Sequence, residues 1–152
     1  MTTEEMDREV DHVLEQHKRL NKAIRNGFYT EALYIEQEIM EDYTELILKY
    51  GEQWHSYMKK RRGHEPVLDS KIRHIQTAAL TKKTAIHRYF SDDLLDKVME
   101  WKAKRCKLIL SSLKQHLMVE YVEAIASEGQ QLSVTMRSRF ASLKRYVSGS
   151  KS

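Results

Sequence analysis

The apolar side chains of this chain recur every three or four residues, and this spacing restricts its fold more than any other feature. Residues three and four apart lie on the same side of an α-helix. Proline, which interrupts helices, occurs once in 152 residues, and glycine occurs five times. The pattern is clearest near the beginning of the chain, at Met6, Val10, Val13, Leu14, His17, Leu20 and Ile24. The sequence therefore predicts an all-α fold.

Start and stop signals divide this pattern into four or five helices. Thr2 and Glu5 match a capping box, and Asn26-Gly27 is a strong helix stop. The predicted helices cover roughly residues 4–25, 30–50, 69–79, 91–116 and 119–147. Gly129 interrupts the last of them at a cost of about 1 kcal/mol relative to alanine, so we expect close packing there. We expect a single up-and-down bundle over residues 1–147 and a disordered tail over residues 148–152.

Composition and charge limit the classes of function. No stretch approaches 18 uninterrupted apolar residues, so no membrane span is expected. The polar first residues lack a secretory apolar core, and the lone Cys106 suits a reducing compartment, so we expect a cytoplasmic protein. Acidic residues outnumber basic ones over residues 1–56, and the reverse holds over residues 57–152. This asymmetry suits contact with phosphate or with an acidic surface, including that of a second copy.

Most signatures of enzyme chemistry are missing from the sequence. There is no glycine-rich phosphate loop or nucleophile elbow, and one cysteine excludes a four-thiolate zinc site. Glu52 and His55 have the spacing that di-iron bundles use, but such bundles need two such motifs. We therefore expect no metal and no cofactor. His17 is predicted to be a core histidine, and the basic run over residues 59–62 is either a solvated loop or a phosphate grip.

Arg105 is the most unusual residue of the chain. It lies in register with an apolar stripe that includes Val98, Trp101 and Leu108. A guanidinium on a core-facing stripe needs a carboxylate, a phosphate or an interface edge, unless its head extends to water while its stem packs. Glu36 and Asp42 on the second predicted helix are candidate carboxylates.

Three segments, taken in order, are similar to one protein family. The segment 26–36, Asn-Gly-Phe-Tyr-Thr-Glu-Ala-Leu-Tyr-Ile-Glu, resembles the helix-turn-helix entry of the HEPN superfamily. The segment 95–110 looks like that family's later helix, whose usual form is a tryptophan, then Arg-Asn, three residues and a histidine. The segment 123–132 resembles the helix that commonly follows. The resemblance spans most of residues 20–147.

The resemblance implies an all-helical, often dimeric protein. Many members of the family are metal-independent endoribonucleases of toxin–antitoxin, abortive-infection and other defence systems. In the resemblance, the arginine and histidine of two subunits meet in a cleft on the dimer axis. The histidine would move the proton of a ribose 2′-hydroxyl, and the arginine would stabilise charge on the phosphorane.

This chain keeps the arginine of that motif, as Arg105, and loses its partners. Cys106 replaces the asparagine, and Leu110 replaces the histidine. Leucine cannot act as a general acid or base. The favoured hypothesis is a catalytically degenerate HEPN-like protein that acts by self-association and by binding a partner protein or RNA. Arg105 would pair with Glu36 or Asp42, or lie at the dimer interface. The candidate binding residues are Arg105, Cys106, Lys102, Lys107, Glu36 and Asp42.

Two alternatives remain open from the sequence. The first is an active metal-independent endoribonuclease of altered chemistry, with Arg105 and His116 as the catalytic residues. Cys106 could serve as a nucleophile if the neighbouring cations lowered its pKa, although a small buried cysteine is the expectation. The second alternative is an adaptor or structural bundle unrelated to nucleic acid, whose basic half faces an acidic partner.

Overall fold

The computed structural model describes residues 2–61, 63–112 and 119–150, apart from the side chains of residues 111, 112 and 150. Its described residues form seven helices and no strand, so the predicted all-α class is confirmed. The helices are α1 (Thr3–Arg25), α2 (Tyr29–Tyr50), α3 (Trp54–Lys60), α4 (Val67–Ala78), α5 (Ala85–Phe90), α6 (Leu94–Ser112) and α7 (Val119–Ser150). The prediction of four or five helices missed α3 and α5, which are short.

The signals at the first helix act as predicted. The Glu5 amide donates to Thr2 Oγ1 over 3.2 Å, and the Thr2 amide donates to the Glu5 carboxylate over 3.0 Å, which completes the capping box. After Arg25 the chain turns at Gly27, whose φ of +75° is a left-handed conformation that favours glycine. This turn reverses the chain into α2.

The start of α6 and the end of α7 differ from the sequence prediction. Helix α6 begins at Leu94, and the Asp92 carboxylate accepts a hydrogen bond from the Leu94 amide over 3.4 Å. Asp92 also accepts two hydrogen bonds from Arg139 of α7, at 3.0 and 2.6 Å, which joins the two helices. Helix α7 continues to Ser150, so residues 148–150 are helical where a tail was expected, and residues 151–152 lie outside the described residues.

Helix α2 is the central element of the bundle. It packs against α1, α3, α4, α6 and α7, most extensively against α7. One hydrophobic core unites these helices, and its fully buried side chains include Leu20, Ile39, Met40, Tyr43, Ile47 and Trp101. No helix in the described part of the chain combines the length and apolar character needed to cross a membrane.

Candidate functional site

Arg105 is held inside the helical bundle by α2. Only 9% of its surface is exposed, and its Nε donates a hydrogen bond to the main-chain carbonyl oxygen of Leu33 over 3.1 Å. The guanidinium carbon lies 5.3 Å from the centre of the Tyr34 ring, within the range of a cation–π interaction. Arg105 makes no ion pair among the described residues. The partners of the guanidinium are therefore a peptide carbonyl and an aromatic face, where a carboxylate was expected.

Glu36 lies close to this arginine and is fully buried. Neither of its carboxyl oxygens has a hydrogen-bond partner among the described residues. Burial raises the pKa of Glu36 to about 9, and the positive charge of Arg105 opposes this rise only in part. The carboxyl group is therefore protonated and neutral near pH 7. Arg105 and Glu36 are neighbours, as predicted, but only the arginine is charged.

Gly129 of α7 allows Glu36 and Trp101 to come together. A Cβ atom at this position would overlap the Glu36 carboxyl and lie 2.6 Å from Trp101 Nε1. The Trp101 indole donates a hydrogen bond to the Ile125 carbonyl of α7 over 3.1 Å. The close packing predicted at Gly129 is thus confirmed. We call Glu36, Trp101, Arg105 and Gly129 the interior cluster.

The contacts of the interior cluster also give the relative direction of two helices. Trp101 meets Glu36, and four residues later Arg105 meets Leu33, so α6 runs antiparallel to α2. Leu110 lies five residues beyond Arg105, about 7.5 Å along the axis. Phe28 precedes Leu33 by five residues. Leu110 is therefore level with Phe28 at one end of the bundle.

Apolar side chains are exposed at that end. Leu110 is 64% exposed, and Phe28 and Tyr34 are 57% and 56% exposed. Cys106, which shares a helix face with Leu110, is also exposed, so the prediction that this cysteine is buried is wrong. Leu110 is apolar, but its side chain does not pack inside the helical bundle. We call Phe28, Tyr34, Cys106 and Leu110 the α2–α6 face.

The lysines that flank Cys106 have different surroundings. Lys102 forms an ion pair with Asp69 of α4 and is only partly exposed. Lys107 is exposed and makes no ion pair within the described ranges. Of these two lysines, Lys107 is therefore the one whose charge is not already paired among the described residues.

Two other predicted site residues do not join the cluster. Asp42 faces α1, where its carboxylate lies 3.8 Å from His12 Nε2, and burial raises the pKa of Asp42 to about 6. Asp42 therefore makes no ion pair with Arg105. His116, the candidate catalytic base, lies outside the described residues.

The interior cluster offers packing and little chemistry. Its carboxyl group is neutral and buried, and its guanidinium is committed to α2.

His17, predicted to be a core histidine, hydrogen-bonds Tyr43 over 2.8 Å. Burial, followed by the charge of Arg137, lowers the pKa of His17 to about 4, so this imidazole is neutral at pH 7 and confirmed as part of the core.

A cavity of about 510 Å³ between α3 and α4 was not predicted. It is lined by Lys60 and Arg61 from the end of α3 and by Arg73 and His74 from α4. The basic run over residues 59–62 was the only signal for it in the sequence.

The described part of the chain contains no group of three histidine, cysteine or acidic side chains placed to hold a metal ion.

Comparisons of the chain with protein-family models, with curated proteins and with solved structures give no match.

Proposed function

We propose that this chain is a HEPN-like helical protein without nuclease chemistry, which acts by binding and first of all by pairing with a second copy of itself. The observation that carries this proposal is the environment of Leu110. It occupies the position of the family's histidine, it is 64% exposed, and it cannot transfer a proton. An exposed apolar side chain at this position, together with an arginine whose guanidinium is held by internal contacts, favours association over catalysis.

The α2–α6 face is the proposed contact surface. Large exposed apolar patches on proteins mark interaction sites, and the four exposed side chains of this face are proposed to form such a patch. In the resemblance, the arginine-bearing helices of two subunits meet on the dimer axis, and here the same stretch of α6 carries Cys106 and Leu110. A twofold interface uses the same patch on both copies, so each residue of the face would be buried on both of them.

The dimer is proposed as the form that binds a partner protein or RNA. The exposed Lys107 lies beside this face and supplies a positive charge at its rim. The resemblance points to a defence or toxin–antitoxin setting for this binding.

Light scattering coupled to size-exclusion chromatography tests the proposal. The wild-type chain should elute with twice its mass of 18.0 kDa at high micromolar concentration. The variant Leu110→Lys should elute as a monomer, because two ammonium groups would be buried at the twofold axis.

Leu80→Lys is the matched control. Leu80 is another large exposed leucine, located after α4 and away from the α2–α6 face, so this variant should remain dimeric. A monomeric wild type, or a dimer that Leu110→Lys leaves intact, would refute self-association through this face.

A further inference from the structure

The cavity between α3 and α4 has the dimensions of a small-molecule site. Its volume of about 510 Å³ lies within the range of ligand pockets, which is about 300 to 1,000 Å³. We infer that this cavity, here called the α3–α4 pocket, binds the phosphate of a small phosphomonoester. This site is separate from the α2–α6 face and goes beyond the proposed function.

The charges around the pocket are predominantly positive and partly unused. Lys60 and Arg61 are exposed and have no ion-pair partner among the described residues. Arg73 pairs with Glu65, the carboxylate of the pocket lining, so these two charges compensate each other. Two cations therefore remain for a ligand, one of them a guanidinium that can bind two phosphate oxygens at once.

The floor of the pocket is fixed by internal hydrogen bonds. The hydroxyl groups of Tyr57 and Ser70 lie 2.7 Å apart, and Ser70 Oγ donates to the Val67 carbonyl over 3.0 Å. Because a serine has one hydroxyl proton, Tyr57 must be the donor in its contact with Ser70. The hydroxyl protons of Tyr57 and Ser70 are thus both donated within the protein. An anion would therefore be recognised by Lys60 and Arg61 at the walls of the pocket.

His74 connects the walls to the floor. Its Nε2 lies 3.2 Å from Gln53 Oε1, and its ring meets the Tyr57 ring edge-on, with centroids 5.8 Å apart. Burial, followed by the charge of Lys60, lowers the pKa of His74. A bound dianion would oppose this effect and favour protonation.

Five acidic or basic side chains share the pocket lining with His74, and among them the charge of Lys60 lowers the His74 pKa. They are Lys60 and Arg61 at the end of α3, His64 and Glu65 in the following turn, and Arg73 on α4. Glu65 and Arg73 neutralise each other, so the net field at the imidazole is positive.

The number of available charges favours a phosphomonoester over a phosphodiester. A phosphomonoester carries about −1.5 to −2 charges at pH 7, whereas each diester phosphate carries about one. Two unpaired cations and a histidine that can take up a proton match the monoester. Tyr57 and Ser70 are buried at the floor of the pocket.

Calorimetric titration with phenyl phosphate at about 0.15 M ionic strength, where the Debye length is about 8 Å, tests this site. We expect saturable binding by the full-length protein, and binding that is at least about tenfold weaker for Lys60→Gln and for Arg61→Gln, because each loses a charge-assisted contact. Lys59→Gln is the matched control: Lys59 is an exposed neighbour that does not line the pocket, so binding should stay within about twofold of wild type.

Two further arms identify the ligand chemistry. Phenyl methyl phosphate, the corresponding diester, should bind at least about tenfold more weakly than phenyl phosphate. Histidine ring signals in NMR spectra should show that phenyl phosphate raises the pKa of His74, and that this rise is smaller in Lys60→Gln.

Four outcomes would overturn the inference. They are no saturable binding of phenyl phosphate, equal binding of the diester, equal loss in Lys59→Gln and Lys60→Gln, and retention of an RNA oligonucleotide without terminal phosphates while phenyl phosphate is ignored. The dimer mass is measured separately, so this site and the α2–α6 face can each fail alone.

Discussion

Arg105 and Arg61 show two uses of the same side chain in one molecule. Arg105 lies in the interior cluster, where a carbonyl oxygen of α2 and the Tyr34 ring hold its guanidinium. Arg61 lies at the wall of the α3–α4 pocket, where its guanidinium is exposed and has no ion-pair partner among the described residues. A charged side chain with partners inside the protein stabilises the fold, whereas a charged side chain without them is available to a ligand.

The largest expected effect concerns the neutral carboxyl group of the interior cluster. The folded chain holds the Glu36 proton up to about pH 9, whereas the unfolded chain releases it near pH 4.5. Because the unfolded state then binds fewer protons, this contribution to stability is complete below pH 4.5 and is lost as the pH rises toward 9.

His17 has the opposite dependence, but only between about pH 4 and 6.5. Between about pH 6.5 and pH 9 we therefore expect the Glu36 contribution to the free energy of unfolding to fall by about 3 kcal/mol, at about 1.4 kcal/mol per pH unit. Urea titrations of wild type and Glu36→Gln should show this fall in the wild type alone. The control variant Glu31→Gln, at an exposed position, should show the same fall in the free energy of unfolding as the wild type. If Glu36→Gln shows that fall as well, the Glu36 carboxyl of the wild type is ionised.

Alanine substitution of each arginine tests whether Arg105 and Arg61 contribute differently to stability. Arg105→Ala should lower the free energy of unfolding by about 2 to 3 kcal/mol, since a buried charge-assisted hydrogen bond and its packing are lost. Arg61→Ala should change it by less than about 0.5 kcal/mol. Chemical denaturation measures both, and equal effects would erase the distinction between the two sites.

Gly129 tests how tightly the interior cluster is packed. Gly129→Ala should destabilise the protein by about 1 to 2 kcal/mol, because the clash with Glu36 and Trp101 outweighs the gain in helix propensity. Gly149 lies on the same helix with open space around it, so Gly149→Ala should be neutral or stabilising by up to about 1 kcal/mol. Thermal unfolding of both variants gives the answer, and a stabilised Gly129→Ala would show that the helices do not approach this closely.

The sequence predicts those parts of the fold that depend on local signals. The capping box at Thr2, the stop at Gly27 and the core position of His17 were all accessible, because each depends on a near neighbour or on helical spacing. Helix α3 was missed because the run from Trp54 to Lys60 is short and ends in like charges. The close approach at Gly129 could be inferred because glycine within a helix needs a reason.

The candidate site was less predictable because its contacts join distant parts of the chain. Arg105 was expected to find a carboxylate, but its partner is the Leu33 carbonyl, and a main-chain carbonyl leaves no mark on the sequence. The exposure of Cys106 and Leu110 depends on how α6 is rotated against α2. The α3–α4 pocket requires two helices to bring Lys60 and His74 to the same cavity.

Incubation of the purified protein with single-stranded RNA in the presence of a chelator determines whether metal-independent nuclease activity is absent. If Arg105 serves the fold and Leu110 has replaced the proton-transfer group, wild type and a folded Arg105→Lys variant should cleave no RNA above the buffer rate. Cleavage by the wild type that Arg105→Lys abolishes, with both proteins folded, would contradict the account and make Arg105 catalytic.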